Sequence, residues 1–185
     1  TKVTSDKFTY DKIKSILTVI GNVEIIDEAN KLKIKGNRFT YYKLDKKIIG
    51  NEQSLIIFDE KYFIKTRKIN YYLENKIVTS DFLTNITDIY NNTFTFNKFK
   101  FLISKKLFKG ENLVFIDHLK NEYSLNKGMV KLNEKEILGK DFYLTFNKST
   151  FGNTEQDPRL KGSSVEIKKN ESIINNGVFT TCKKT

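Results

Sequence analysis

At 185 residues the chain suits one domain or one elongated β-structure. Fifteen Phe and nine Tyr with a single Pro (Pro158) exclude a disordered polymer, and a lone cysteine, Cys182, excludes an internal disulfide framework. The formal net charge of +11 argues about solubility and partners rather than fold, and with only three Arg (Arg38, Arg67, Arg159) the chain is poor in the forked donors that read bases and phosphates.

The stretch 8–27, FTYDKIKSILTVIGNVEIID, sets the plan of the chain. An aromatic pair, Phe8 and Tyr10, is followed by a polar turn at Asp11, Lys12 and Lys14. A β-branched run then breaks at Gly21-Asn22 and ends in a short alternating strand of Val23 and Ile25. Leu17, Val19, Gly21, Val23 and Ile25 share one parity, and a period of two puts them on one face of a sheet. In 31–35, KLKIK, Leu32 and Ile34 face inward if the lysines face water; Gly36-Asn37 is expected to turn the chain into Phe39 and Tyr41.

The same plan returns at 39–59, 69–88, 94–117 and, most loosely, 123–146, with starts 31, 30, 25 and 29 residues apart. Such a period signals one supersecondary unit stacked on its own copies. In the second copy Ile56 and Phe58 share a side of an apolar run, 54–58, that reads as buried on both faces. In the fourth, Phe99, Phe101 and Ile103 oppose Lys98 and Lys100. Residues 131–139, KLNEKEILG, favour helix by composition but sit where the other copies read as strands, so strand and turn are expected. The segment 149–164 reads as a polar loop, after which 165–167 and 176–179 resume β-structure. Short strands separated by Asn, Gly, Asp and Lys turns predict an all-β fold, with repeats over 1–148 and a distinct tail over 149–185.

The chemistry of catalysis is missing from this pattern. His118 is the only histidine, no His/Cys/Asp cluster has metal-ligand spacing, and neither a nucleophile elbow nor a P-loop occurs. The reading is therefore no enzyme, no metal and no cofactor. No apolar run reaches the ~20 residues of a membrane helix. What remains is an apolar face opposed to a lysine-rich one. It serves either a packed core or an apolar slot for acyl chains, rimmed by lysines that meet phosphates. A basic nucleic-acid-binding module is the alternative class, but many of the aromatics fall on the apolar parity, away from the lysines. The joint abundance of Lys, Asn and Ile also matches AT-rich codons.

The unit FTYDKIKSILTVIGNVEIID, continued by NKLKIKGNRFTYYK, resembles the OstA-like repeat of the lipopolysaccharide transport proteins, with its aromatic-x-Tyr-Asp turn and G-N-V-x-I step. The tail, 152–184, resembles the segment that joins the periplasmic domain of LptD to its β-barrel, through D-P-R-L-K-G and the F-T-T-C that ends at Cys182. The resemblance implies an open, V-shaped β-jellyroll in the periplasm of a Gram-negative bacterium, as part of an outer-membrane protein. Its groove would pass lipopolysaccharide acyl chains toward an outer-membrane translocon, over Val19, Val23, Ile25, Leu32, Ile34, Phe39, Tyr41, Ile56 and Phe58. Expected partners are lipopolysaccharide, a periplasmic bridge protein paired at an edge strand, and the outer-membrane lipoprotein plug of the barrel; no nucleic acid is expected. A bridge protein of the same system is the alternative. Cys182 is expected to form a disulfide with a barrel cysteine outside this sequence.

Overall fold

The computed structural model describes residues 1–148 and 156–182. Within them the chain is all-β: eighteen strands join one antiparallel network, interrupted by two short 3₁₀ turns at Glu28–Asn30 and Ile103–Lys105. The network folds on itself as a β-jellyroll. Its two sheets are made by the same strands, each passing from one sheet to the other.

Strands β3 (Ile16–Asp27), β4 (Leu32–Tyr42), β13 (Leu107–Ile116), β14 (Glu122–Lys131), β15 (Glu136–Thr145) and β16 (Arg159–Ile167) make this passage unbroken. Between them four long strands are each cut in two. The pairs are β5 (Lys47–Gly50) with β6 (Ser54–Phe58), β7 (Tyr62–Thr66) with β8 (Ile69–Tyr72), β9 (Ile77–Ser80) with β10 (Thr84–Asp88), and β11 (Thr93–Phe96) with β12 (Lys98–Leu102). The first sheet runs from β2 (Lys7–Asp11) through one half of β3 and β4, then β5, β8, β9 and β12, then one half each of β13, β14, β15 and β16, to β17 (Ser172–Asn175). The second runs from β1 (Lys2–Thr4) through the other halves of β3 and β4, then β6, β7, β10 and β11, then the other halves of β13 to β16, to β18 (Val178–Thr180).

The crease between the sheets explains the glycines and asparagines of the repeat. In β3 the ladder with β4 slips between Ile20 and Val23, where Gly21 and Asn22 have φ of 81° and 44°. This is a β-bulge, which bends a strand and increases its twist. Gly21-Asn22 and Gly36-Asn37, expected to end strands, are therefore bends within unbroken ones. In β4 the bend also switches the inward parity: Leu32 and Ile34 point inward on one side, Phe39 on the other. Gly36 and Gly50 leave the room that Phe39 fills, since a Cβ at either would stand 2.9 or 2.6 Å from its ring.

Far from the crease, hairpin turns repeat one design. The N–H groups of Lys31, Lys46, Asn91, Lys106 and Lys120 each donate to the carbonyl three residues back, and each of these residues has positive φ. The loops hold three residues at 89–91 and 118–120 and four at 28–31, 43–46 and 103–106, each with a left-handed final position. The aspartates that end the copies, Asp27, Asp59, Asp88 and Asp117, lie at one end of the second sheet. Asp88 and Asp117 each accept two hydrogen bonds from the Asn four residues on, through its N–H and its Nδ2. Successive copies are stitched at their turns, as in Leu73 N–H to Lys46, Ile103 N–H to Lys76 and Leu132 N–H to Lys106, each 3.0 Å. The sequence period is this stacking.

The core lies between the sheets. Ile34, Ile56, Ile64, Ile69, Ile86 and Phe101 are fully buried, each burial contributing ~1.5–3 kcal/mol. Aromatic rings carry the contact across: Phe58 of the second sheet meets Phe101 of the first at 4.8 Å between centroids, and Tyr62 meets Phe108 at 5.7 Å. Leu55 and Ile57, on the outer face of β6, are only half-buried, so that run is not buried on both sides. Residues 131–139 form strand, turn and strand, as the repeat predicts.

The tail departs from its reading. Residues 149–155 lie outside the described ones, but 159–164, expected as loop, join the expected strand residues 165–167 in one strand, β16, which pairs with β15 along its length. Its polar residues face outward, and the partner strand supplies the order that local propensity does not. Asn176-Gly177, expected in a strand, forms the turn between β17 and β18.

Candidate functional site

The interior opens at the N-terminal end. There the ladder sets Tyr10, Leu17, Tyr41, Ile48 and Tyr71 in one row, and Phe8, Val19, Phe39, Gly50 and Ile69 in the next. Both rows face inward. Toward the middle they are sealed, with Tyr71 and Ile69 fully buried; toward the edge they are not, with Phe8 52% and Tyr10 48% exposed. The second sheet ends here in the three residues of β1, whose Val3 sits opposite Ile25.

The result is a mouth of ≈ 380 Å³ lined by Thr1, Val3, Leu17, Val19, Ile25, Phe39, Tyr41, Ile48 and Leu73. The lining is almost wholly hydrocarbon and aromatic, with no carboxylate, imidazole or thiol to do proton or covalent chemistry. The turns that close the neighbouring strands carry Lys12, Lys14 and Lys43, all exposed. Such a site can hold an apolar chain and leave an anionic head among lysines.

Of the residues proposed from sequence, Val19, Ile25, Phe39 and Tyr41 come together at this mouth. Val23, Leu32, Ile34, Ile56 and Phe58 do not reach it and are packed in the core, 3% exposed or less. Sequence reasoning missed Thr1, Val3, Leu17, Ile48 and Leu73 as lining, although it gave Leu17 the inward parity. Ile48 is adjacent to Ile49 in an apolar pair with no parity signal, and only its register partner Tyr41 fixes which one faces inward.

His118 is exposed on the turn after β13. The carboxylate beside it, Asp117, is taken by Asn121 and by the Tyr123 hydroxyl, which donates to Oδ2 at 3.1 Å. Burial, with the Asp117 charge and this hydrogen bond, pushes the Tyr123 phenol up to about 12. Cys182 is exposed, and its carbonyl accepts a hydrogen bond from Arg159 Nη1 at 2.7 Å.

The sequence matches no protein-family model, and the comparison with curated proteins gives no match. Among solved structures the chain is similar to the crystal structure of LptH, the LptA homologous periplasmic component of the conserved lipopolysaccharide transport device from Pseudomonas aeruginosa. The two share 11% sequence identity, with 74% of this chain and 78% of that chain covered and a TM-score of 0.29.

Proposed function

We propose that the protein is a non-catalytic lipid carrier that shelters acyl chains between its two sheets, entered from the N-terminal mouth. One observation carries the reading: an apolar interior that fills to complete burial in the middle and lies open at an edge, with Phe8 and Tyr10 continuing it into solvent. Each CH₂ taken from water gains about 0.8 kcal/mol, so a chain lying along the two rows is held without specific polar contacts.

The OstA-like resemblance gives the lipid as lipopolysaccharide and the compartment as the periplasm. Within that family two roles compete, a bridge module and the periplasmic domain of an outer-membrane protein. Among the described residues β1, β2, β17 and β18 each pair on one side only, so each end offers an edge to which a neighbour's strand can add, as a bridge role requires.

The test is photo-crosslinking in the presence of lipopolysaccharide. A photoreactive residue at Leu17 labels the lipid and one at Lys33, on the outer face, does not. Equal labelling from both positions overturns the proposal.

A further inference from the structure

The outer face of the first sheet holds a depression of ≈ 900 Å³, distinct from the mouth. Two ladder rows line it. One runs Lys98, Glu111, Lys127, Lys140; the next runs Lys100, Lys109, Met129, Leu138. In both rows lysines stand directly opposite lysines: Lys100 faces Lys109, and Lys127 faces Lys140. Like charges directly opposed in a ladder destabilise it.

Elsewhere in the described sheets, charged residues in register have opposite signs, as Glu24 with Lys35 and Lys131 with Glu136. The two like-charged pairs both fall in this depression. Three carboxylates line it: Glu111, in register with both Lys98 and Lys127, is bonded to Lys98 at 2.9 Å, Glu166 is bonded to Lys168 at 2.6 Å, and Asp81 forms no ion pair with the four lysines. Lys100, Lys109, Lys127 and Lys140 form no ion pair among the described residues. A codon bias toward lysine would scatter like-charged pairs over every outer face, not gather them in one concavity.

The geometry points to a binding site for a small anion bearing several phosphates, held by Lys100, Lys109, Lys127 and Lys140. Opposed lysines supply two centres of doubled charge, one across β12 and β13 and the other across β14 and β15, which a multivalent phosphate bridges and a single phosphate does not. The concave shape converges these charges on a compact ligand, whereas a flat anionic bilayer would meet the rim first. The half-buried Met129 and Leu138 form an apolar strip beside the charges, suited to the non-polar face of a sugar ring. This site is independent of the lipid mouth, which lies at the sheet's N-terminal edge.

Calorimetric titration at low salt tests it, with three probes: tripolyphosphate, inorganic phosphate, and vesicles of phosphatidylglycerol and phosphatidylcholine in equal parts. Tripolyphosphate is expected to bind at least tenfold more tightly than inorganic phosphate, with affinity falling as salt rises. The variant K100Q/K109Q/K127Q/K140Q loses that binding, and K65Q/K68Q/K105Q/K169Q, neutralised at exposed lysines elsewhere, keeps it. The first variant also gains thermal stability at low salt, since its repulsion is removed. Equal losses in the two variants, equal affinity for the two phosphates, binding to vesicles only, or a lower Tm in the first variant would each overturn the proposal.

Discussion

The Tyr71 hydroxyl donates a hydrogen bond to Oδ2 of Asp27 at 2.8 Å, tying the first sheet to the outer end of the second. Tyr71 is fully buried and Asp27 is 8% exposed. Asn30 Nδ2 donates to the same oxygen at 2.8 Å. Burial would raise the Asp27 pKa, but the hydrogen bonds from Asn30 and Tyr71 outweigh it and hold the carboxyl below its ordinary range. The repeat's terminal Asp is therefore a clasp between the layers as well as a turn residue.

Tyr71→Phe removes that clasp while keeping the ring. A buried acceptor losing one of its partners costs ~1–2 kcal/mol, within the range for unmade buried hydrogen bonds. Because the folded pKa of Asp27 is depressed, its stabilisation is present above the ordinary Asp range and is lost as pH falls through the folded value. Urea unfolding should show the full gap between wild type and Tyr71→Phe at pH 7, and a smaller one at pH 3. A gap unchanged at pH 3 would assign the cost to packing alone.

Alkaline unfolding should report the buried phenols. Burial, the Asp27 hydrogen bond and its charge raise Tyr71, as burial and Asp117 raise Tyr123. An unfolded phenol ionises near pH 10, so each tyrosine's contribution declines as pH rises beyond that, for Tyr123 over the interval up to about 12. Tyr123→Phe should flatten the fall in stability between pH 10 and 12, measured by urea midpoints.

Gly110, Gly128 and Gly139 face inward in one row across three strands, beside the crease between the sheets. A Cβ at Gly110 would overlap the Lys98 carbonyl oxygen, which is backbone and cannot swing aside. Gly110→Ala should destabilise by about 1–3 kcal/mol, the usual range for overpacking. Gly177→Ala, where the nearest atom would be 3.3 Å away, should shift stability by under about 0.5 kcal/mol. Similar melting temperatures for the two variants would contradict this account of the crease.

The edge at β2 can be tested without unfolding the sheet. Asp6 N–H donates to the Gly21 carbonyl, and bonded pairs alternate along an antiparallel ladder. The N–H groups of Lys7 and Thr9 therefore point away from β3. Thr9→Pro deletes an outward donor, whereas Phe8→Pro breaks the β2–β3 ladder itself. A bridge protein that docks by strand addition should bind Thr9→Pro at least tenfold more weakly in a pull-down titration, with Tm nearly unchanged. Full-strength binding would place docking elsewhere.

Cys182 is exposed, so its thiol should react completely with a maleimide in the native protein. If the chain is followed by a barrel, as the resemblance of its tail implies, an oxidising compartment favours pairing of this thiol. Mass spectrometry of an unreduced digest from assembled membranes should then find the Cys182 peptide linked to a barrel peptide. A peptide found only as the free thiol would refute the pairing.

The amino-acid sequence by itself determined the β-class, the copies and the parity within each short strand. Leu32 and Ile34 against Lys31, Lys33 and Lys35 needed no partner to be read, because alternation is a property of one strand. It also placed the turns, whose Asp, Asn and Lys residues act through bonds to their own neighbours. It could not tell a bend from a turn at Gly21-Asn22 and Gly36-Asn37, since glycine permits both and only the ladder with the adjoining strand decides. Nor could it make a strand of 159–164, whose order comes from β15, or divide nine inward residues between a filled core and an open mouth. That division depends on which sheet lies over each row: Ile34 is covered, and Leu17 stands where the second sheet stops. Facing of one strand is local, while coverage is a relation between layers, and only the tertiary structure holds it.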